Sequence, residues 1–314
     1  MGPEPGRRRA GLPADVVRHG GGNPLRHAGL GLITCLAVAA CTVPVADGAE
    51  RRQGRPFAAT SAPPDPSQCP LPESRFDCDL QRRIVAAERY LTARPGITGL
   101  VVRDRRSDAV WSNVAANRPV FAASTVKLAI AVDLFERERT TGLRLTSADR
   151  ARIDAMLHTS DGDAANTLWF RFGGDAIGSR FARYGMPGAT YVAGLARRWG
   201  SMKATAADLD RLVGHALEQT TQDVRRYLVN GMRTVAANQR WGVWAAGPSA
   251  QPGTKNGWHE YDAGWVVNSF GFLGPDGRYT LSIMNDLLGE GGYEDGVRTT
   301  SEVTAMLFAT RFTR

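Results

Sequence analysis

Ser124-Thr125-Val126-Lys127 sets a hydroxyl and an amine three residues apart at the expected start of a helix. Residues at i and i+3 share a helix face, so the two side chains can meet there. A serine needs a base to become a nucleophile, and a lysine buried enough to be neutral can serve as one. Residue choice sharpens the point: lysine occurs three times, at Lys127, Lys203 and Lys255, among 39 basic residues. Arginine evidently suffices wherever only a fixed positive charge is wanted. A retained lysine suggests an amine that must lose its proton, which guanidinium does not do in a protein. Taken alone, the tetrapeptide is equally a helix N-cap serine followed by a lysine reaching solvent.

Two further clusters follow along the chain. Ser160-Asp161-Gly162 lies between two expected helices. Its hydroxyl could pass a proton to a leaving group while Asp161 braces the loop, though by itself this is an ordinary helix cap. Lys255-Asn256-Gly257-Trp258 begins a late β-like run. Lys255 could neutralise a substrate carboxylate, the Asn256 amide could donate to the same group, and Gly257 would let a substrate backbone approach. The Trp258 and Ser124 N–H groups could together form an oxyanion hole.

The elements that must carry these residues are legible as a pattern. A helical stretch over Leu80–Ala93 precedes two short strands, 99–103 and 109–113. Helical segments follow at 124–138, 148–158, 162–172, 175–184, 205–218 and 222–234. Three β-like runs come next, Thr254–Trp258, Ala263–Phe272 and Tyr279–Asn285. The last two are joined by the hairpin signal Gly274-Pro275-Asp276-Gly277, and a closing helix covers about 299–310. Helix, two strands, many helices, three strands, helix is an α+β order. It predicts one five-stranded antiparallel sheet assembled from both ends of the chain and flanked by the terminal helices, with an all-helical lobe inserted between strands two and three.

Composition narrows the function classes. The chain has 314 residues, 43% apolar and 22% charged, so most of it can bury a core. No apolar run approaches the roughly 20 residues of a membrane-spanning helix. The four cysteines and five histidines show no zinc spacing, so neither a metal nor a cofactor is expected. The net charge of +8 is spread out, without a basic-aromatic block, which argues against a nucleic-acid partner.

The beginning of the chain has its own signature. Residues 1–27 are basic, and Ala28–Cys41 then runs fourteen residues without a charge. That fits the apolar centre of a secretory signal. The run ends Val38-Ala39-Ala40-Cys41, which resembles the lipobox of bacterial lipoproteins. The resemblance implies a signal peptide over 1–40, lipidation of Cys41, and attachment through membrane lipid to the outer face of the cell membrane. Residues 41–76, with Ala62-Pro63-Pro64-Asp65-Pro66, read as a flexible linker. Cys69 and Cys78 are expected to close a small loop by a disulfide, which export permits. The folded domain then spans 77–314.

In order and placement the three clusters resemble the Ser-x-x-Lys, Ser-Asp-Asn and Lys-Thr-Gly set of serine β-lactamases and penicillin-binding proteins. The likeness covers roughly 79–314 and is strongest to a class A β-lactamase-like group of actinobacterial lipoproteins, with Gln239-Arg240-Trp241-Gly242 as a further shared phrase. It implies Ser124 as nucleophile, Lys127 as its base and Ser160 as proton relay, with Lys255, Asn256 and Trp258 at the substrate. Cell-wall peptides or β-lactams are the implied partners. Three departures stand against it. Gly162 replaces the family's amide, Asn256 replaces a hydroxyl, and Ala176–Ala207 holds no Asp or Glu to activate a deacylating water. Such a base is typically worth 10²–10⁴-fold. The expectation is a membrane-anchored serine acyl-transfer hydrolase of penicillin-interacting or D,D-peptidase-like type, and not an efficient β-lactamase. The alternative is a catalytically degenerate binding module of the same fold at the cell envelope.

Overall fold

The computed structural model describes residues 69–312. The expected signal segment 1–40, Cys41 and the linker up to residue 68 lie outside them.

The described chain opens at Cys69, which is joined to Cys78 as a disulfide, with Cα atoms 4.9 Å apart. Helix α1 (Cys78–Thr92) starts there, and the Asp77 carboxylate accepts from Leu80 N–H at 3.0 Å. Strands β1 (Ile97–Asp104) and β2 (Ala109–Ser112) follow, then the two-residue β3 (Val120–Phe121). A 3-10 turn over Ala123–Val126 runs into α2 (Lys127–Thr141). The lobe continues with α3 (Ser147–His158), α4 (Gly162–Arg171), the single-turn α5 (Asp175–Gly178), β4 (Thr190–Tyr191), β5 (Met202–Ala204), α6 (Ala206–Glu218) and α7 (Gln222–Arg233). The chain then returns through 3-10 turns to β6 (Gly253–Tyr261), β7 (Gly264–Leu273), β8 (Tyr279–Asp286) and α8 (Tyr293–Phe308).

The main sheet has the order β2-β1-β8-β7-β6 and is antiparallel throughout. Its centre joins the two ends of the chain, Val101 lying opposite Ser282. Side chains alternate across a strand, and both faces of β1 are covered, which is why it reads as an unbroken apolar run. Leu100 and Val102 pack on one face with Leu80 and Ile84 of α1 and Val303 and Leu307 of α8. Val101 turns to the other face, into the larger core shared with the helical lobe, where Leu209, Phe270 and Met284 lie. The expected α+β architecture, a five-stranded antiparallel sheet flanked by terminal helices with an inserted lobe, is the one found.

Local differences have physical reasons. The segment 175–184 is not one helix. It breaks after Gly178, whose Cβ would lie 2.2 Å from the Tyr191 hydroxyl, and resumes as a 3-10 turn at Phe181. The break lets Arg180 grip buried Asp133 with two bonds of 2.6 and 2.8 Å, while Tyr184 donates to the same carboxylate at 2.9 Å. A small second sheet, β3-β5-β4, is too short to leave a period-two pattern in the sequence. The closing helix begins six residues earlier than expected, because the Asp295 carboxylate accepts from Gly292 N–H at 3.0 Å and caps it. Beyond that helix, Arg311 reaches back to Asp77 (2.5 Å), Asp79 (3.0 Å) and the Tyr279 hydroxyl (3.0 Å).

Candidate active site

Ser124 sits in the 3-10 turn ahead of α2, not inside the helix. The turn is held in an unusual conformation: Ala123, just before the serine, has φ of +48°, where a residue with a Cβ is strained. Its surroundings impose this. Ala122 N–H donates to Met202 O at 2.9 Å, and Asn268 of β7 donates to Phe121 O at 2.9 Å. From the other side β6 presses in at Gly257, where a Cβ would lie 2.8 Å from Ser124 N and 2.7 Å from Thr125 N. Gly257 is therefore needed for close approach, but what it admits is the chain's own serine-bearing turn. Ser124 borders an open cleft of about 310 Å³, shared with Trp199, Ser201, Trp258, His259 and Tyr261.

Lys127 is 1% exposed at the first position of α2. Its ammonium donates to Ser160 O at 2.6 Å and lies 3.5 Å from Ser160 Oγ. Burial lowers its pKa to about 8, while the nearby Asp161 carboxylate works in the opposite direction. Among the described residues Ser124 Oγ has no hydrogen-bond partner, so the amine faces Ser160 and not the hydroxyl three places before it. Ser160 is itself held at φ +61° between α3 and α4, and Asp161 caps α4 by accepting from Ala164 N–H at 2.8 Å.

Lys255 closes the arrangement from β6. It is 1% exposed and donates to Ser160 Oγ at 2.9 Å and to Asn256 O at 2.7 Å. Its pKa is pushed well below the usual lysine range, first by burial and then by the positive charge of Lys127. The three motifs thus meet at Ser160, with an amine on either side.

Asn256 departs from expectation. Neighbours on a strand face opposite ways, and with Lys255 turned to Ser160 the Asn256 side chain points into the core. Its amide donates to Gln239 O at 2.8 Å, and its oxygen accepts from Ser269 at 2.7 Å and Thr254 at 3.1 Å. Every polar atom is engaged, which leaves nothing for a substrate carboxylate. The Trp258 ring packs with Trp241 and Tyr293 at centroid distances of 5.7 Å while bordering the cleft. At Gly162 no heavy atom lies within 4 Å of a would-be Cβ, so the missing amide leaves open space.

The residue that sequence reasoning missed is Trp199. Its ring lies 4.6 Å from Lys127 Nζ, and its Nε1–H donates to Asn166 of α4 at 2.9 Å. The stretch without acids therefore contributes an indole over the amine. Tyr261 was also missed. It stacks on Phe121 at 3.8 Å and donates to Gly200 O at 2.9 Å, and burial pushes its phenol up to about 12. Their signal in the sequence was only a bare Trp-Gly and an aromatic at a strand end. No carboxylate lines the cleft among the described residues, nor do these contain a cluster fit to hold a metal ion.

A single five-stranded antiparallel sheet faced by the terminal helices, with an inserted helical lobe, is the β-lactamase/transpeptidase-like fold. The solved structure of PBP-A matches with a TM-score of 0.62 and 20% identity, over 74% of this chain and 97% of that one. A PBP-A variant in acyl-enzyme complex with penicillin G matches at 0.62 and 21%, over 75% and 98%. A class A β-lactamase from Bacteroides cellulosilyticus matches at 0.62 and 12%, over 75% and 99%. In sequence the chain is similar to LppW of Mycobacterium tuberculosis and Mycobacterium bovis, named there as a candidate lipoprotein. Identity is 29% over 220 residues, 65% of this chain and 68% of that protein. No protein-family profile matches the sequence.

Proposed function

We propose that this chain is an exported lipoprotein, anchored to the membrane through Cys41, whose domain from about residue 77 is a penicillin-interacting serine acyl-transfer enzyme. The observation that carries the reading is the convergence of Lys127 and Lys255 on Ser160 beside the Ser124 cleft, with both amines desolvated. In this scheme Ser124 Oγ attacks the carbonyl of a cell-wall peptide or a β-lactam, and its proton passes to neutral Lys127. The tetrahedral oxyanion is stabilised by the Ser124 and Trp258 N–H groups. Ser160 takes the proton from Lys127 and delivers it to the departing nitrogen, so the C–N bond breaks and an acyl-serine remains. Lys255 holds the Ser160 hydroxyl in line through the hydrogen bond it donates. No carboxylate among the described residues lines the cleft to activate water, so the acyl-serine is long-lived and β-lactam turnover is slow. The acyl-enzyme of the PBP-A variant supports acylation on this fold, and the lipoprotein name of LppW supports the anchor.

Three observations favour the second reading, a binding module at the cell envelope. Lys127 is turned to the Ser160 carbonyl, Ser124 Oγ has no partner among the described residues, and Gly162 offers no amide to a substrate.

The test is incubation of the purified chain with a fluorescent penicillin, read by intact mass. A stable adduct that disappears in Ser124→Ala is expected. No adduct at millimolar reagent would leave the binding module. Fast hydrolysis of a chromogenic cephalosporin would overturn the inference from the missing base.

A further inference from the structure

Two adjoining hollows formed by β1, α6, α7 and the turn between β7 and β8 take no part in the chemistry above. The first, about 450 Å³, includes Arg103, Arg105, Arg183 and Arg211 in its wall. The second, about 270 Å³, includes Arg105, Arg225, Arg226 and Arg233. Arg105 borders both, so the two hollows adjoin; their seven arginines stand against the lining carboxylates of Asp108, Asp210, Glu218 and Asp276 and against Asp208 and Asp223 beside them.

The arginines divide into two groups. Four are neutralised: Arg103 by Asp210 (2.6 Å), Arg105 by Glu218 (2.7 Å), Arg211 by Asp208 (2.6 Å) and Arg226 by Asp223 (2.5 Å). Three meet no carboxylate among the described residues. Arg225 donates only to the carbonyls of Glu218 (3.2 Å) and Thr220 (3.4 Å), and Arg233 only to those of Gly274 and Pro275, both at 2.8 Å. Carbonyls orient a guanidinium without cancelling its charge. The Nε atoms of both are buried with no partner. Arg183 is exposed, and its side chain makes no hydrogen bond or ion pair among the described residues. One arginine without an ion pair thus lines the first hollow and two line the second, Arg233 there still feeling the Asp276 carboxylate.

A planar guanidinium with parallel N–H groups matches the oxygen pair of a phosphate. We propose that this groove binds an anion carrying two or more phosphate groups in a row, one in each hollow. A single phosphate would satisfy only one end.

The experiment uses the full chain with Cys41→Ser, which removes any acyl anchor, and titrates inorganic tripolyphosphate by calorimetry at low salt, with orthophosphate for comparison. Tripolyphosphate is expected to bind at least about tenfold tighter than orthophosphate, with affinity falling steeply as salt rises. Arg225→Gln should weaken it about tenfold and Arg183→Gln about threefold, whereas Arg139→Gln, on α2 with the same change in charge, should leave it unchanged. The Arg183 side chain makes no internal hydrogen bond or ion pair among the described residues, so its variant tests the groove even if Arg225→Gln misfolds. Equal affinity for the two anions would overturn the proposal, as would equal losses in the Arg139 and Arg183 variants. Binding to phosphatidylglycerol vesicles that depends on Arg183, without tripolyphosphate binding, would reassign the groove to lipid headgroups and overturn the chain-like ligand.

Discussion

The site around Ser160 and the arginine groove both gather basic residues, yet of different kinds. Lys127 and Lys255, which meet at Ser160, are each 1% exposed and each has its pKa lowered by burial. The groove holds arginines with their charge at or near solvent. An ammonium can be desolvated until it gives up its proton, whereas a guanidinium stays charged. The same division explains why so few lysines occur in the chain.

Exchanging lysine and arginine between the two regions should break the comparison most sharply. Lys127→Arg keeps the charge but removes the base, and penicillin acylation should fall by about 10³-fold, measured by stopped-flow fluorescence. Arg183→Lys in the groove should alter tripolyphosphate affinity by no more than about threefold. An active Lys127→Arg chain would show that the amine is not the base.

Gly257→Ala ranks next. Its Cβ would meet Ser124 N, Thr125 N and Ala122 O at 2.7–2.9 Å, all backbone, so the serine turn must shift. Acylation should drop by about 10²-fold, since a small displacement of the nucleophile is enough for that. Stability measured by urea titration should fall by about 2 kcal/mol.

The pH dependence tests Lys127 itself. With the neutral amine as base, the acylation rate should rise about tenfold per pH unit and level off near pH 8. A flat profile from pH 6 to 9 would remove Lys127 from the role. Stability carries a second signature. The lowered pKa means that folding penalises the cation, fully below pH 8. The penalty fades as pH rises toward 10.5, because the unfolded chain then binds more protons than the folded one. Lys127→Met should therefore be more stable than the parent by about 1–3 kcal/mol at pH 7, with the gain shrinking over that window.

The smallest effect is expected from Gly162→Asn. Open space receives the side chain, so melting temperature should stay within about 2 °C. Acylation should rise less than about tenfold, because a single amide hydrogen bond is added. A clear loss would mean that the empty position is itself used.

The sheet and the lobe were legible in the sequence because each rests on local pattern, and the motifs singled out Ser124, Lys127, Ser160 and Lys255, but the sequence paired Lys127 with Ser124 and not with Ser160. Asn256 could have been read better. Two neighbours on one strand cannot both face the cleft, and Lys255 already did. Trp199 could not have been found, since its position over Lys127 depends on a bond to Asn166, thirty-three residues away in the chain. The direction of Lys127 was equally hidden. It depends on the carbonyl of Ser160, presented by a left-handed backbone conformation that no residue preference signals.

The clasp of Arg311 on Asp77 and Asp79 brings the two limits of the folded region to one spot. The order of elements along the polypeptide is then not essential to the architecture. A circular permutant in which a few glycines join residue 312 to residue 77, reopened at the exposed turn near Pro275, should assemble the same sheet around the same core. With only α8 and α1 between β8 and β1, the central β1–β8 pair would become closer along the chain while the β7–β8 pair would become the distant one, so the refolding rate should change little.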